Sequence, residues 1–290
     1  MKIMSSAAVP DFETVPLGTA IPRVIHQTMT SRDLPEVFTD NIRKIKAMNP
    51  GWRHIFYDGD DRERLIGAHY GSEILAYYRR IDPRYGAARA DLFRYLLMYK
   101  IGGVYFDIKS TTIRPLDEVI RPDDLYILSH WRNQAGEARA EWGMHDELKE
   151  TGRGEYQQWH IVCAPGHPFL RAVIERVLRN IDAYRPWRER LGQHATVRVT
   201  GPIPYTKAIH PIRALHPHRL VEDESEIGLE YSILPGFDHT RLFASHYVYL
   251  DRPMIATRGL VWCGTQVYLA ARWARNRARD FLAARAAHGK

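Results

Sequence analysis

Apolar and polar positions follow two alternating rhythms along the chain. Short runs of β-branched and aromatic residues, the signature of strands, fall at 21–27, 53–57, 125–128, 159–164 and 243–249. Between them, apolar residues recur at helical spacing. Val37, Ile42 and Ile45 predict a helix over 36–48, which Asn49-Pro50-Gly51 stops. Leu92, Leu96 and Tyr99 predict an apolar stripe on a long helix over 85–101. Gly166-His167-Pro168 opens a helix through Ile181, with proline near its first turn. Thr200-Gly201-Pro202 breaks the chain before a short helix over 203–209, and a terminal helix spans 266–287. Asp58-Gly59-Asp60-Asp61 turns out of the second strand, with Asp60 or Asp61 expected as cap of the next helix. Residues 131–156 lack a clear pattern and are expected to form an irregular excursion at the site. The acidic run 222–226 is expected to be exposed.

Strands alternating with helices predict an α/β fold, a mostly parallel sheet covered on both faces. No linker divides the chain convincingly. Residues 1–20 are a lead-in, 21–265 one domain, and 266–290 a basic helix packed on it.

Length, 290 residues, permits one such domain, and 45% hydrophobic content suffices for its core without disulfide staples. Cys163 and Cys263 match no metal or redox spacing. No segment approaches the ~20 apolar residues of a membrane span, and the first ten residues lack the apolar core of a signal peptide. The expected location is the cytoplasm, with peripheral contact on the inner membrane face as an option. That option rests on the terminal helix, where Arg272, Arg275, Arg277, Arg279 and Arg285 accompany Trp273, Phe281 and Leu282. A formal charge of +7 suits phosphate-bearing partners. Nucleic acid is not among the expected ones, because the basic residues are scattered and no recognition motif is present.

The centre of the chain carries the chemistry. Asp91 and Arg94 lie three apart and share one face of the long helix. Gly102-Gly103 then breaks it, with Gly102 suited to a left-handed terminus. Val104-Tyr105-Phe106 follows as a strand ending in Asp107. A carboxylate at the carboxyl end of such a strand sits where α/β sheets bind nucleotides. Asp107 suits a hard divalent ion, Arg94 a bidentate phosphate contact, and Asp91 the hydroxyls of a sugar. Three groups at one helix–strand junction outweigh the bland readings of each, a surface ion pair and a turn cap. Trp131, Trp142 and Trp159 frame the irregular middle and are candidates for stacking on a sugar.

These blocks resemble the glycosyltransferases of the DXD-motif sugar-binding family. That family includes Och1-like α-mannosyltransferases, capsular-polysaccharide transferases and, distantly, clostridial toxin domains. The matching pieces run in order from about 21 to 202. They are Ile21-Pro22-Arg23-Val24-Ile25-His26-Gln27-Thr28, Asn49-Pro50-Gly51-Trp52, Ala88-Arg89-Ala90-Asp91-Leu92-Phe93-Arg94-Tyr95 and Gly102 to Asp107, with weaker matches at 164–169 and 200–202. The resemblance implies a GT-A-type, Rossmann-like sheet with a nucleotide-sugar donor, UDP- or GDP-linked, across its strand ends. It implies transfer of a hexose, with retention, to a glycan or lipid-linked acceptor in capsule or cell-surface glycan synthesis. Asp91 and Arg94 would contact the donor sugar or phosphates, and Asp107 the ribose or a metal. Arg89, Tyr105, His26, Gln27, Thr28, Tyr57 and Asp58 join them as donor-binding candidates.

One departure matters. The family's second acidic residue is Lys109 here, giving Asp107-Ile108-Lys109. A charged lysine cannot ligate a metal. Lys109 either stands in for the ion, or Asp107 holds Mn or Mg with a partner such as His246, or only nucleotide-sugar binding remains.

Overall fold

A computed structural model describes residues 9–234 and 250–288. The elements in chain order are β1 (Val24–Thr28), α1 (Glu36–Met48), β2 (Arg53–Tyr57), α2 (Gly59–Arg80), α3 (Gly86–Ile101), β3 (Gly103–Phe106), β4 (Thr111–Thr112), α4 (Leu116–Val119), β5 (Tyr126–Ser129), β6 (His160–Cys163), α5 (Pro168–Ala183), α6 (Pro186–Glu189), α7 (Gln193–Val199), α8 (Pro202–Ile209), β7 (Arg219–Val221), β8 (Leu229–Glu230) and α9 (Gly259–His288).

Six strands form one sheet in the order β2-β1-β3-β6-β5-β7. β2, β1 and β3 are parallel, β6 runs against both β3 and β5, and β7 is parallel to β5. Five strands therefore share one direction and β6 alone opposes it. This is the mixed, mostly parallel, helix-flanked sheet expected. Helices α1 and α5 and strand β2 match their predicted spans almost residue for residue. The expected strand at 243–249 lies outside the described residues.

Strand alternation divides the core into two layers. Val104 and Phe106 point to one layer with Ile25, Ile127 and Val162, under α1 and α4. Tyr105 points to the other with Ile161, Cys163 and Leu128, under α2, α3, α5, α7 and α8. Helix α3 departs from the expected single stripe. Every residue from Asp91 to Tyr99 is buried, so this helix is covered on all sides. A helix apolar around its circumference is what a central element requires.

Two local signals also resolve differently. The cap of α2 is Asp58, not Asp60 or Asp61. Its side chain accepts from the Asp61 amide, and Asp61 answers to the Asp58 amide, closing a capping box. Gly102 has φ 71° but ψ −166°, so it is not the left-handed cap expected. It turns the chain against Pro165, whose nitrogen a Cβ there would approach to 2.6 Å. Gly103, at φ 104°, lies against the Val24 carbonyl, which its Cβ would meet at 2.5 Å. The pair thus brings β3 from the end of α3 directly into the sheet.

Residues 9–20 have no regular structure, yet Phe12 is buried edge-on against Tyr70 and Tyr99. Helix α9 begins at Gly259 rather than Gln266, and among its described side chains Leu260, Trp262, Val267 and Trp273 are exposed. Among the described residues, no helix is long and apolar enough to cross a membrane.

Candidate active site

The two periodicities meet at the carboxyl edge of β3. Alternation puts Asp107 on the same side as Tyr105, the side covered by α3. On α3, Asp91 and Arg94 face it together. Arg94 Nη2 reaches Asp91 Oδ1 at 3.3 Å and Asp107 Oδ1 at 3.0 Å, so one guanidinium bridges both acids. Its Nη1 donates to the Gln158 carbonyl at 2.7 Å and to Gln158 Oε1 at 3.1 Å. Its plane lies over the Tyr105 ring, 4.8 Å from the centroid, and the Tyr105 hydroxyl donates to Asp107 Oδ1 at 3.2 Å.

The two carboxylates differ in access. Asp91 is 2% exposed, and its oxygens also accept from Thr200 Oγ1 at 2.9 Å and Gln158 Nε2 at 3.3 Å. Burial pushes its carboxyl up to about 6, against the opposing pull of Arg94. The Asp107 side chain keeps 26% of its surface open. Asp107 is the acid a ligand meets, and Asp91 holds Arg94 from behind.

Lys109 lies within electrostatic reach of Asp107 and Arg94. The loop carrying it is pinned: the Asp107 amide donates to the Trp159 carbonyl, Gln27 Nε2 to the Asp107 carbonyl, Asn41 Nδ2 to the Ser110 carbonyl and the Ile233 amide to the Lys109 carbonyl. Lys109 Nζ donates to the Tyr231 hydroxyl at 2.6 Å. Burial pulls its ammonium down to about 8, with Asp107 opposing. Tyr231 contacts Trp131, Trp142 and Trp159 edge-on, and Arg139 stacks on Trp131, Trp142 and Tyr231. The excursion at 131–156 is therefore an organised aromatic wall. Glu155 anchors it by accepting from Trp131 Nε1 and His145. The acidic run beside it is partly buried, contrary to expectation. Glu224 accepts from Gln157 and pairs with Arg139.

The remaining candidates divide. Tyr105 and Gln27 join the cluster. His26 does not: it is fully buried, with its ring nitrogens bonded to the Tyr57 hydroxyl and the Gly102 carbonyl. Burial holds it down to about 4, and so neutral. Thr28 donates to the Tyr57 carbonyl and accepts from Arg62, so Thr28 and Tyr57 tie β1 to β2 and α2. Asp58 is the cap of α2 and pairs with Arg32. Arg89 donates to the Ile81 carbonyl and stacks on Tyr78, away from the acids. His246 lies outside the described residues. Sequence reasoning missed Gln158 and Tyr231, and it noted Thr200 only as part of a turn.

Among the described residues the donor set does not suit a divalent ion. A hard cation takes six or more oxygen ligands with carboxylates among them. Among the described residues no group of three metal-capable side chains exists. Asp107, the more accessible of the two described carboxylates, is already paired to Arg94, and Lys109 occupies the second acid's position. A dication about 5 Å from such a cation meets repulsion on the order of several kcal/mol.

The comparisons bear on these residues. Positions 35–126 match the family model described as glycosyltransferase sugar-binding region containing DXD motif. This stretch is similar to that sugar-binding region. It spans α3, β3 and the Asp107-Ile108-Lys109 turn. The chain is 29% identical over 163 residues to the HOC1 protein of Saccharomyces cerevisiae, covering 54% of this chain and 39% of that one. It is 28% identical over 162 residues to inositol phosphoceramide mannosyltransferase 3 of Schizosaccharomyces pombe, covering 56% and 38%. It is 27% identical over 168 residues to the initiation-specific alpha-1,6-mannosyltransferase of Candida albicans, covering 54% and 42%. The alignments thus span about two fifths of these relatives' own lengths. Among solved structures, the PaToxG glycosyltransferase overlaps 72% of both chains, with a TM-score of 0.46 and 14% identity.

Proposed function

We propose that the protein is a retaining glycosyltransferase. It moves a hexose, mannose in the first instance, from a nucleotide-linked donor to a hydroxyl of a glycan or glycolipid. The Arg94 bridge between Asp91 and Asp107, at the carboxyl edge of the sheet inside the sugar-binding region, carries this reading. Such an edge is where open α/β sheets hold nucleotides. In this reading Asp107 accepts from the donor's hydroxyls, and Arg94, buried behind it with its donors taken by Asp91, Asp107, Gln158 and Ala90, lends positive charge toward the phosphates. Asp91, Gln158 and Thr200 are positioning residues that keep Arg94 in place. The aromatic wall offers ring faces to a sugar. Two relatives named as mannosyltransferases support mannose, and the inositol phosphoceramide in one of those names supports a glycolipid acceptor. A role in capsule or other surface-glycan assembly, at the cytoplasmic side of a membrane, extends the same reading. Purified protein given GDP-mannose, UDP-glucose or UDP-galactose should slowly release the nucleoside diphosphate, faster with a cell-derived glycolipid fraction. Binding of a donor by calorimetry with no turnover under any of these conditions would replace the transferase with a nucleotide-sugar binder on the same scaffold.

A further inference from the structure

We propose that Lys109, together with Arg94, supplies the positive charge facing the donor's diphosphate, so that this chain works without a divalent metal. The inference rests on the transferase reading for the identity of the ligand, but its observations are separate. Lys109 is largely buried, and among the described residues it forms no ion pair. A buried charge is costly unless paired, and among the described residues this one is offset only by the nearby Asp107 carboxylate, itself paired to Arg94, and by the Tyr231 ring face 3.8 Å from the ammonium. An ammonium carries three donors, and one is used, on Tyr231. A second unsatisfied donor belongs to a ring on the same tyrosine. Trp159 Nε1 is buried with no hydrogen-bond partner, and its ring packs on the same Tyr231. Two groups with idle donors against one aromatic wall, near a guanidinium, describe a cradle for oxygens that carry negative charge.

The chemistry asked of the cradle is modest. In transfer, the bond between the sugar's anomeric carbon and the diphosphate oxygen breaks, and its electron pair stays with the diphosphate. The acceptor's hydroxyl oxygen bonds to that carbon, and its proton passes to the leaving phosphate oxygen. Charge grows on the diphosphate as the bond breaks. A fixed cation in a site partly shielded from water stabilises it there, the task a metal performs in a two-carboxylate site. The pinned loop around Lys109 means little rearrangement is needed when the ligand arrives.

The test is calorimetric titration of GDP and UDP, in EDTA and in manganese, into the full chain and its Lys109→Met variant. At least one diphosphate should bind in EDTA, with manganese changing the affinity less than about twofold. Lys109→Met should weaken that binding roughly 10- to 100-fold, the scale of a charge-assisted hydrogen bond. The variant should melt no lower than the parent, since it removes a buried charge. Affinity that collapses in EDTA and returns with manganese would overturn the proposal without need of the variant. Unchanged binding by a folded Lys109→Met, or no binding of either diphosphate with or without metal, would also overturn it. Metal-free, Lys109-dependent binding with no sugar transfer would leave this proposal standing and remove the transferase. Manganese-dependent transfer would do the reverse.

Discussion

Arg94 is a buried cation shared by two acids, and its loss leaves both uncompensated. Breaking a buried pair by removing one partner costs about 3–5 kcal/mol. Arg94→Gln should therefore lower the unfolding free energy, read from urea denaturation, by that much as well as abolish transfer. Asp107→Asn should separate the two effects. Its side chain is a quarter open and Arg94 keeps its pairing with Asp91, so the stability loss should be clearly smaller than that of Arg94→Gln, while turnover falls by roughly 10²-fold or more, as for loss of an electrostatic contact to the reacting group. Equal losses of stability in both variants would show that Asp107 is a structural acid. His26 marks the opposite case. It sits where a nucleotide contact is expected, but its bonds to Tyr57 and Gly102 use both ring nitrogens within the core.

The Gly102-Gly103 turn decides whether α3 and β3 can present their acids to each other. Both glycines have positive φ, and at both a Cβ would strike backbone. Gly103→Ala combines a disfavoured conformation with a clash against the Val24 carbonyl. It should cost more than about 1 kcal/mol, measured by denaturation, with turnover lost in proportion to any displacement of β3. The capping box of α2 is a smaller device. Asp58→Ala should cost about 1 kcal/mol and leave donor binding unchanged. A binding defect in folded Asp58→Ala would restore this residue to the donor site. Helix α3 keeps the expected apolar stripe in the core and buries the residues around it as well. Leu92, Leu96 and Tyr99 do face the core, but Gln158, Thr200 and Tyr105 close over the face that carries Asp91 and Arg94, so these polar residues are buried with them.

Acid should destabilise the fold as a unit. Burial holds His26, His54, His130 and His167 down to about 4 and His160 to about 3. An unfolded histidine titrates near 6.5, so between those values the unfolded chain binds protons that the folded one refuses. The stability these groups contribute is complete above about 6.5 and lost as pH falls toward 4. Asp91 acts with the opposite sign. Its folded value of about 6 lies above the roughly 3.9 of a free aspartate, so its contribution is present below about 4 and lost as pH rises through 6. Five groups against one decide the direction. Unfolding free energy should fall by several kcal/mol from pH 7 to pH 5, read from urea midpoints at each pH. A flat profile over that range would mean that the histidines are not buried as neutral rings.

Local order was written plainly in the chain. The spacing of apolar residues set α1, α5 and β2, and the Gly-Gly step with its flanking motif located Asp91, Arg94 and Asp107, because helix and strand periods depend on residues only a few positions apart. The Lys109 substitution was equally visible. Tertiary packing alone decided which acid is open and which is sealed, that Arg94 bridges them, and that Gln158, Thr200 and Tyr231 complete the site. Those partners come from 63 to 122 positions away, and no local pattern encodes a meeting that exists only after the sheet has folded and the helices have closed over it. For the same reason His26, Thr28 and Arg89, placed by motif near the donor, are spent on holding the frame: proximity in sequence says where the backbone goes, and only burial says which way each polar group is satisfied.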